Sequence, residues 1–323
     1  MKVHILDDWF DTLRGLPCFE KLAKYDVTVW TDHEPDPFRL AERLQDAEAL
    51  VLFRERTMIT RDLLRRLPML RLISQRSVHP HIDVPACTEN GVLLCSNMHS
   101  DTPSYAAAEM TLALILASYR QIPEQVASIR AGDWQAGVGR TLRGRTLGLY
   151  GYGRIARAVA DYAEAIGMSV QWWASESGRA RADADGRSLA ETRESFFATS
   201  DIVSLHVRLK PDTRGIISAD DLARMAPRSL LVNTSRAGLI IPGALEAEIA
   251  RSRIFAAVDV FETEPLTDTA HPFLQHPNVL PTPHLGYVTE DEFDLQFSDI
   301  FDQVVAFANG APIHVINPEA LGP

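Results

Sequence analysis

The sequence is short of cysteine, of positive charge and of long hydrophobic runs. Only Cys18, Cys87 and Cys95 occur in 323 residues, with no CxxC pair among them. That excludes a disulfide framework and a cysteine zinc site, and it fits the reducing cytoplasm. Lysine and arginine number 32 against 43 aspartates and glutamates, for a formal net charge of −11. Such a chain is a poor electrostatic match for nucleic acid or an anionic membrane, so neither is expected as a partner. The longest apolar stretch, residues 105–119, is broken by Glu109 and is too short to cross a bilayer. Residues 1–10 mix charged with apolar side chains, and no signal peptide is expected there. Histidines form no HExxH or similar ligand spacing, which argues against a metal site. Glycine (18) and proline (19) are near average, so collagen-like and low-complexity readings fall away.

What is present is an ordinary globular composition, 46% apolar and 23% charged. At ~150 residues per domain the length suggests about two domains. Short apolar runs alternate with amphipathic stretches. Strands are expected at 3–6, 27–30, 49–53, 72–74 and 92–95. Helices are expected at 38–44 and at 60–67, the second capped by Thr60 and ended by Pro68. Residues 103–120 read as a helix with both faces largely buried, as at a domain junction or a subunit interface; the alternative is an ordinary core helix. A second series follows, with strands at 147–150, 170–173, 201–205, 230–233, 256–260 and 278–280 and a helix at 155–166. The tail, 290–309, is one amphipathic helix stopped by Gly310. Alternation of this kind means parallel sheets with helices on both faces.

Three segments carry chemistry. Gly151-Tyr152-Gly153-Arg154-Ile155-Ala156 is a GxGxxA sequence directly after an apolar strand and at the start of a helix. Gly151 allows a tight turn, and Gly153 lets the backbone approach a pyrophosphate. Ala156 permits close helix–strand packing, and the helix N-terminus offers unpaired N–H groups to the anion. Arg236 lies just past a strand, where ligands of open parallel sheets bind, and a guanidinium there can fork onto a carboxylate. Glu264 and His284 follow the next two strands. If they pair, the carboxylate fixes the imidazole tautomer and favours its protonated form. Local sequence leaves open whether they touch, and whether Arg236 is only a surface arginine.

Taken in order, residues 147–156, 201–213, 231–238, 259–265 and 282–286 resemble the D-isomer-specific 2-hydroxyacid dehydrogenases over nearly the whole chain. The 102–109 and 130–134 segments also look like family segments. The resemblance implies two Rossmann- or flavodoxin-like α/β domains with the active site in the cleft between them. The substrate domain would comprise 1–100 plus 288–323 and the dinucleotide-binding domain 101–287. It also implies a homodimer, built largely through the nucleotide domain. The function it implies is hydride transfer between NAD(P)H and a 2-oxo acid, giving a D-2-hydroxy acid, in the manner of a glyoxylate, hydroxypyruvate or phosphoglycerate enzyme. Arg236 would hold the substrate, His284 would move the proton, and Glu264 would orient and charge His284. Gly151, Gly153, Arg154, Ile155, Thr234, Ser235 and Gly286 would line the cofactor. Asp259 would contact the nicotinamide carboxamide.

Three departures concern specificity. Arg76-Ser77-Val78 stand where the family has a GxG turn that holds the substrate carboxylate. Arg76 either adds charge to the pocket or points outward into solvent. Ala174 stands where the family carries an acidic ribose ligand, with Ser175, Glu176, Arg179 and Arg181 after it. Loss of the repelling carboxylate favours NADPH, with NADH tolerated: Ser175 can contact the phosphate and Arg179 or Arg181 reach it if the loop folds back, whereas Glu176 cuts the other way. The alternative is that residues 175–187 are a solvated loop with no cofactor preference. Tyr287 replaces a frequent second glycine. The rival readings are an NAD(H)-sensing binding protein of the same fold and a phosphite or formate dehydrogenase. Glu264 argues against the formate enzyme, which places glutamine there.

Overall fold

The computed structural model describes residues 1–98 and 105–322. In chain order the elements are β1 (Lys2–Ile5), β2 (Asp26–Val29), α1 (Pro37–Arg43), β3 (Ala49–Val51), α2 (Arg61–Leu64), β4 (Leu72–Arg76), α3 (Val84–Glu89) and β5 (Leu93–Asn97). Next come α4 (Ala106–Arg120), α5 (Ile122–Arg130), β6 (Thr146–Tyr150), α6 (Arg154–Ala165), β7 (Ser169–Trp173), α7 (Glu176–Ala184), α8 (Arg193–Thr199) and β8 (Ile202–Leu205). The series closes with α9 (Ala219–Arg224), β9 (Leu230–Asn233), α10 (Ala244–Ala250), β10 (Phe255–Val258), α11 (Pro272–Gln275), β11 (Val279–Pro281) and α12 (Glu290–Ala308). They fall into two compact units, residues 1–103 with 289–323 and residues 104–288. The first turn expected from 103 and the 102–104 part of the family-like segment lie outside the described residues.

The first unit holds a five-stranded sheet in the order β2-β1-β3-β4-β5, every pair parallel. That is the flavodoxin-like order. Its strands are short apolar runs because both faces are covered: Val3, Ile5, Leu50, Ile73 and Leu94 are all buried. Asp36, Thr60 and Asp83 cap α1, α2 and α3 through their side-chain oxygens, each worth about 1 kcal/mol. The helix after Thr60 stops at Leu64 rather than Leu67. Its last residues tighten into i→i+3 bonds, Arg66 N–H to Leu63 O and Leu67 N–H to Leu64 O. Helix α12 returns to this unit. Thr289 caps it, and Glu290, Asp291 and Glu292 complement its dipole. Phe293 and Phe297 close on Phe53, and Ser74 donates to Ile300 O. Gly310 follows the helix at φ +75°, the left-handed stop expected of it.

The second unit holds six parallel strands in the order β11-β10-β9-β8-β6-β7. The chain runs outward from β6 to β7, then returns to β8 on the other side of β6. The switch point between β6 and β8 is where ligands bind such sheets. Trp172, Phe196 and Phe197 fill the core on the two faces.

Two expectations are corrected here. Helix α4 is buried on one face only. Ala108, Thr111, Leu114, Ile115 and Tyr119 are covered, whereas Leu116 is exposed. On the other side Met110 and Leu112 are half-buried. Residues 176–184 form helix α7 instead of a loop, because the Ser175 hydroxyl accepts from Gly178 N–H and caps it.

Candidate active site

Everything below lies in the second unit except residues 76–78 and the neighbours they bond to. Gly151 ends β6 at φ +116°, a backbone region where only glycine is at ease. A Cβ on Gly151 would stand 2.4 Å from the His206 carbonyl oxygen, at the start of the segment after β8. The turn therefore closes directly over the switch point. A Cβ on Gly153 would meet nothing within 4 Å, so the chain there is open to a ligand. Gly153 is the N-cap of α6 and carries no side chain to occupy the first-turn N–H groups. An open glycine, an uncapped twelve-residue helix and a switch point together fit a pyrophosphate. Arg154 and Ile155 begin that helix.

The segment after β9 supplies the next contacts. The Ser235 hydroxyl donates to Leu205 O at 2.6 Å, and its N–H donates to Asn233 Oδ1. The hydroxyls of Thr234 and Thr111 share a 2.8 Å hydrogen bond that ties this loop to α4. Asn233 also donates to Arg236 O at 3.0 Å, and Arg236 donates from Nη1 to Ser235 O at 2.8 Å. The guanidinium is thus tethered at one edge.

Glu264 and His284 do meet. Nδ1 of His284 lies 2.6 Å from Oε2 of Glu264, while Oε1 accepts from Phe261 N–H at 2.8 Å. Burial opposes ionisation of Glu264. The hydrogen bond and charge of His284, the Phe261 amide and the Arg236 charge outweigh burial and hold the carboxyl below its ordinary range. An ionised carboxylate only accepts, so Nδ1 carries the proton and Nε2 is the nitrogen left for chemistry. Tyr287 meets the imidazole edge-on, with ring centroids 5.3 Å apart. The departure at 287 is therefore a second wall for the histidine.

Asp259 is fully buried just past β10. It accepts from the Thr282 hydroxyl, Leu285 N–H and Gly286 N–H. Burial pushes its carboxyl up, against the pull of those hydrogen bonds and of His284. Each buried donor left without an acceptor would cost about 1–3 kcal/mol.

At the end of β7, Ala174 is buried and Ser175 is spent on capping α7. The Arg179 guanidinium lies over the Trp173 ring at 4.5 Å, and its Nε has no hydrogen-bond partner. Arg181 donates to Tyr152 O at 3.3 Å, against the glycine turn. Glu176 is exposed on the first turn of α7.

In the first unit, Arg76 is not an outward, solvated arginine. Its side chain is 11% exposed, with Nε 3.4 Å from Asp299 Oδ2 on α12. The sequence leaves pocket and solvent as alternatives for Arg76 because it does not show that Asp299 of α12 reaches it. Ser77 takes φ +77°, held by its N–H to Asn97 O, while its own carbonyl accepts from Gln75 and Ser96. Val78 is 40% exposed.

Three contributors went unread in the sequence: Thr111, Thr282 as a donor to Asp259, and His206 beneath Gly151. His206 alone carried a signal, being the first polar residue past an apolar strand. Among the described residues no cluster of three or more histidine, cysteine or acidic side chains could hold a metal. Nor is any described helix long and apolar enough to cross a membrane.

A doubly wound parallel sheet with an open glycine turn at its switch point defines a dinucleotide-binding unit. Residues 112–286 match the family model described as D-isomer specific 2-hydroxyacid dehydrogenase, NAD binding domain. The chain is 35% identical to a glyoxylate reductase of Aeropyrum pernix over 320 residues, covering 94% of this chain and 93% of that protein. It is 37% identical to a D-3-phosphoglycerate dehydrogenase of Methanocaldococcus jannaschii over 281 residues, covering 86% of this chain but 52% of the relative. A solved phosphoglycerate oxidoreductase structure from Vibrio cholerae superposes with a TM-score of 0.91 at 45% identity, covering 96% of this chain and all of that one. The chain belongs to the D-isomer specific 2-hydroxyacid dehydrogenase family. It spans about half the length of the phosphoglycerate dehydrogenase relative and nearly all of the glyoxylate reductase.

Proposed function

We propose that the protein reduces a 2-oxo acid to a D-2-hydroxy acid with a reduced nicotinamide dinucleotide, using Arg236, Glu264 and His284. The observation that carries this reading is the 2.6 Å pair of His284 Nδ1 and Glu264 Oε2, with the Arg236 charge felt by the same carboxylate. The chemistry a bound nicotinamide supplies is a hydride for the carbonyl carbon. Arg236 binds the substrate carboxylate and steadies charge growing on the carbonyl oxygen. His284 delivers the proton from Nε2 to that oxygen, and in the reverse direction removes it. Glu264 keeps the ring oriented and compensates the imidazolium. Gly151, Gly153, Arg154 and Ile155 receive the pyrophosphate; Thr234, Ser235 and Gly286 line the cofactor. Residues 1–103 with 289–323 form the substrate domain, and Arg76, Ser77 and Val78 are its substrate-binding triplet.

The cofactor reading is NADPH with NADH tolerated. Its support is the absence of a carboxylate at Ala174 and the presence of Arg179 over Trp173. Glu176 is the competing group. The assembly reading is a homodimer, supported by exposed Leu116, Ile122, Val126, Ile129, Trp134 and Val138 in and after α4 and α5. A cytoplasmic location agrees with three buried thiols, all pushed up to about 12 by burial.

The test is a panel of 2-oxo acids, glyoxylate and hydroxypyruvate among them, with NADPH and NADH in turn, followed by chiral analysis of those products that carry a stereocentre, such as the glycerate from hydroxypyruvate. D-hydroxy acids formed faster with NADPH are expected. No oxidation of either cofactor would overturn the function. A preference of about tenfold or more for NADH would overturn only the cofactor reading and assign Glu176 to the ribose.

A further inference from the structure

The turn that carries His284 hangs on one buried carboxylate. Oδ1 of Asp259 accepts from the Thr282 hydroxyl at 2.6 Å and from Leu285 N–H at 2.8 Å, and Oδ2 accepts from Gly286 N–H at 2.8 Å. The donors bracket His284 on both sides in sequence. His284 itself sits at φ +56°, a left-handed conformation that a non-glycine residue keeps only where its surroundings impose it. Its own N–H turns back onto Thr282 O at 3.0 Å, closing a tight loop. Asp259 is anchored in turn, its N–H donating to Asn233 O at the end of β9. The fit at Gly286 is close: a Cβ there would stand 3.2 Å from Oδ2. Three of the four lone-pair directions of this carboxylate are taken by the turn, and none of its surface reaches solvent.

We propose that Asp259 is a positioning residue for His284: its carboxylate pins the 282–286 turn on both sides of the histidine and so aims the imidazole at Glu264. This goes beyond the family resemblance, which gives Asp259 to the nicotinamide carboxamide. It rests on the reading of His284 as the proton-transfer group.

Asp259→Asn keeps the size but exchanges one acceptor oxygen for an N–H donor, so at least one of Leu285 N–H and Gly286 N–H loses its partner. Displacing the imidazole should lower kcat by about 10²-fold, with the Kd for NADPH and NADH unchanged within about threefold. The downfield Nδ1 proton of His284 in the NMR spectrum should disappear or shift. A cofactor Kd weakened by about tenfold or more, with that proton and the pH profile as in wild type, would overturn the proposal in favour of a carboxamide contact. Thr282→Val and Thr282→Ser guard against misfolding of the first variant, since neither changes the charge. Valine should lose about tenfold in kcat at constant cofactor KM, and serine should restore it. Wild-type kcat in Thr282→Val would likewise overturn the clamp. If the wild-type protein reduces no 2-oxo acid, the proposed function fails, while the NMR signal and the cofactor titration still decide the role of Asp259.

Discussion

Under the proposed function, Arg236 and Glu264 are the side chains on which substrate grip and proton supply depend. One edge of the Arg236 guanidinium is held by Ser235 O, so its planar fork is pre-oriented. Arg236→Lys keeps the charge but loses two-point contact. Steady-state kinetics should show kcat/KM falling by about 10²-fold, or about 2.7 kcal/mol of transition-state stabilisation, with cofactor binding little changed. For Glu264 the sign follows from its depressed carboxyl. The group is ionised throughout the neutral range, and its pairing is lost only as pH falls through the lowered value. Reduction consumes an imidazolium proton, so it fails at the alkaline end. Glu264→Gln removes the compensating charge from Nδ1, and the alkaline limb of the reduction rate should move to lower pH. An unmoved limb would show that the 2.6 Å contact does not govern proton transfer.

The elements differ in how plainly the sequence announces them. Buried parallel strands are short apolar runs, so β1, β3, β6, β8 and β9 stand out at once. Helix α7 was hidden because Glu176–Ala184 has no apolar stripe and owes its start to one capping serine. The glycine turn was legible as a motif, since strand, glycines and helix are contiguous. The trio Arg236, Glu264 and His284 was not, because its members sit on three loops and only family resemblance joins them. The grip of Asp259 on the 282–286 turn has no sequence signal: two of its three donors are main-chain amides, which have no letter in a sequence. Helix α5 is the reverse case, with Ile122, Val126 and Ile129 all exposed and no residue buried. If these side chains face a second copy, Ile129→Glu should convert a dimer into a monomer by light scattering at micromolar concentration. The same variant should leave the far-ultraviolet circular dichroism intact. A wild-type protein that is already monomeric would remove α5 as an interface.

Stability of the molecule in acid should be set by three histidines that the fold keeps neutral. Burial lowers His4 and His81 from the usual 6.5, and it takes His206, beneath the glycine turn, down to about 4. In that window the unfolded chain binds protons that the folded chain refuses, so stability falls as pH drops from about 6.5 towards about 4. Urea midpoints measured across this range should decline, and His206→Gln should flatten the decline. A midpoint independent of pH there would contradict the burial of these rings. The proposed function turns on His284. The decisive measurement is kcat/KM of His284→Ala for a 2-oxo acid, beside its Kd for NADPH. A fall of about 10³-fold with Kd unchanged is the expected result. Turnover within about threefold of wild type would contradict proton transfer by His284 and, with it, the reading of the whole site.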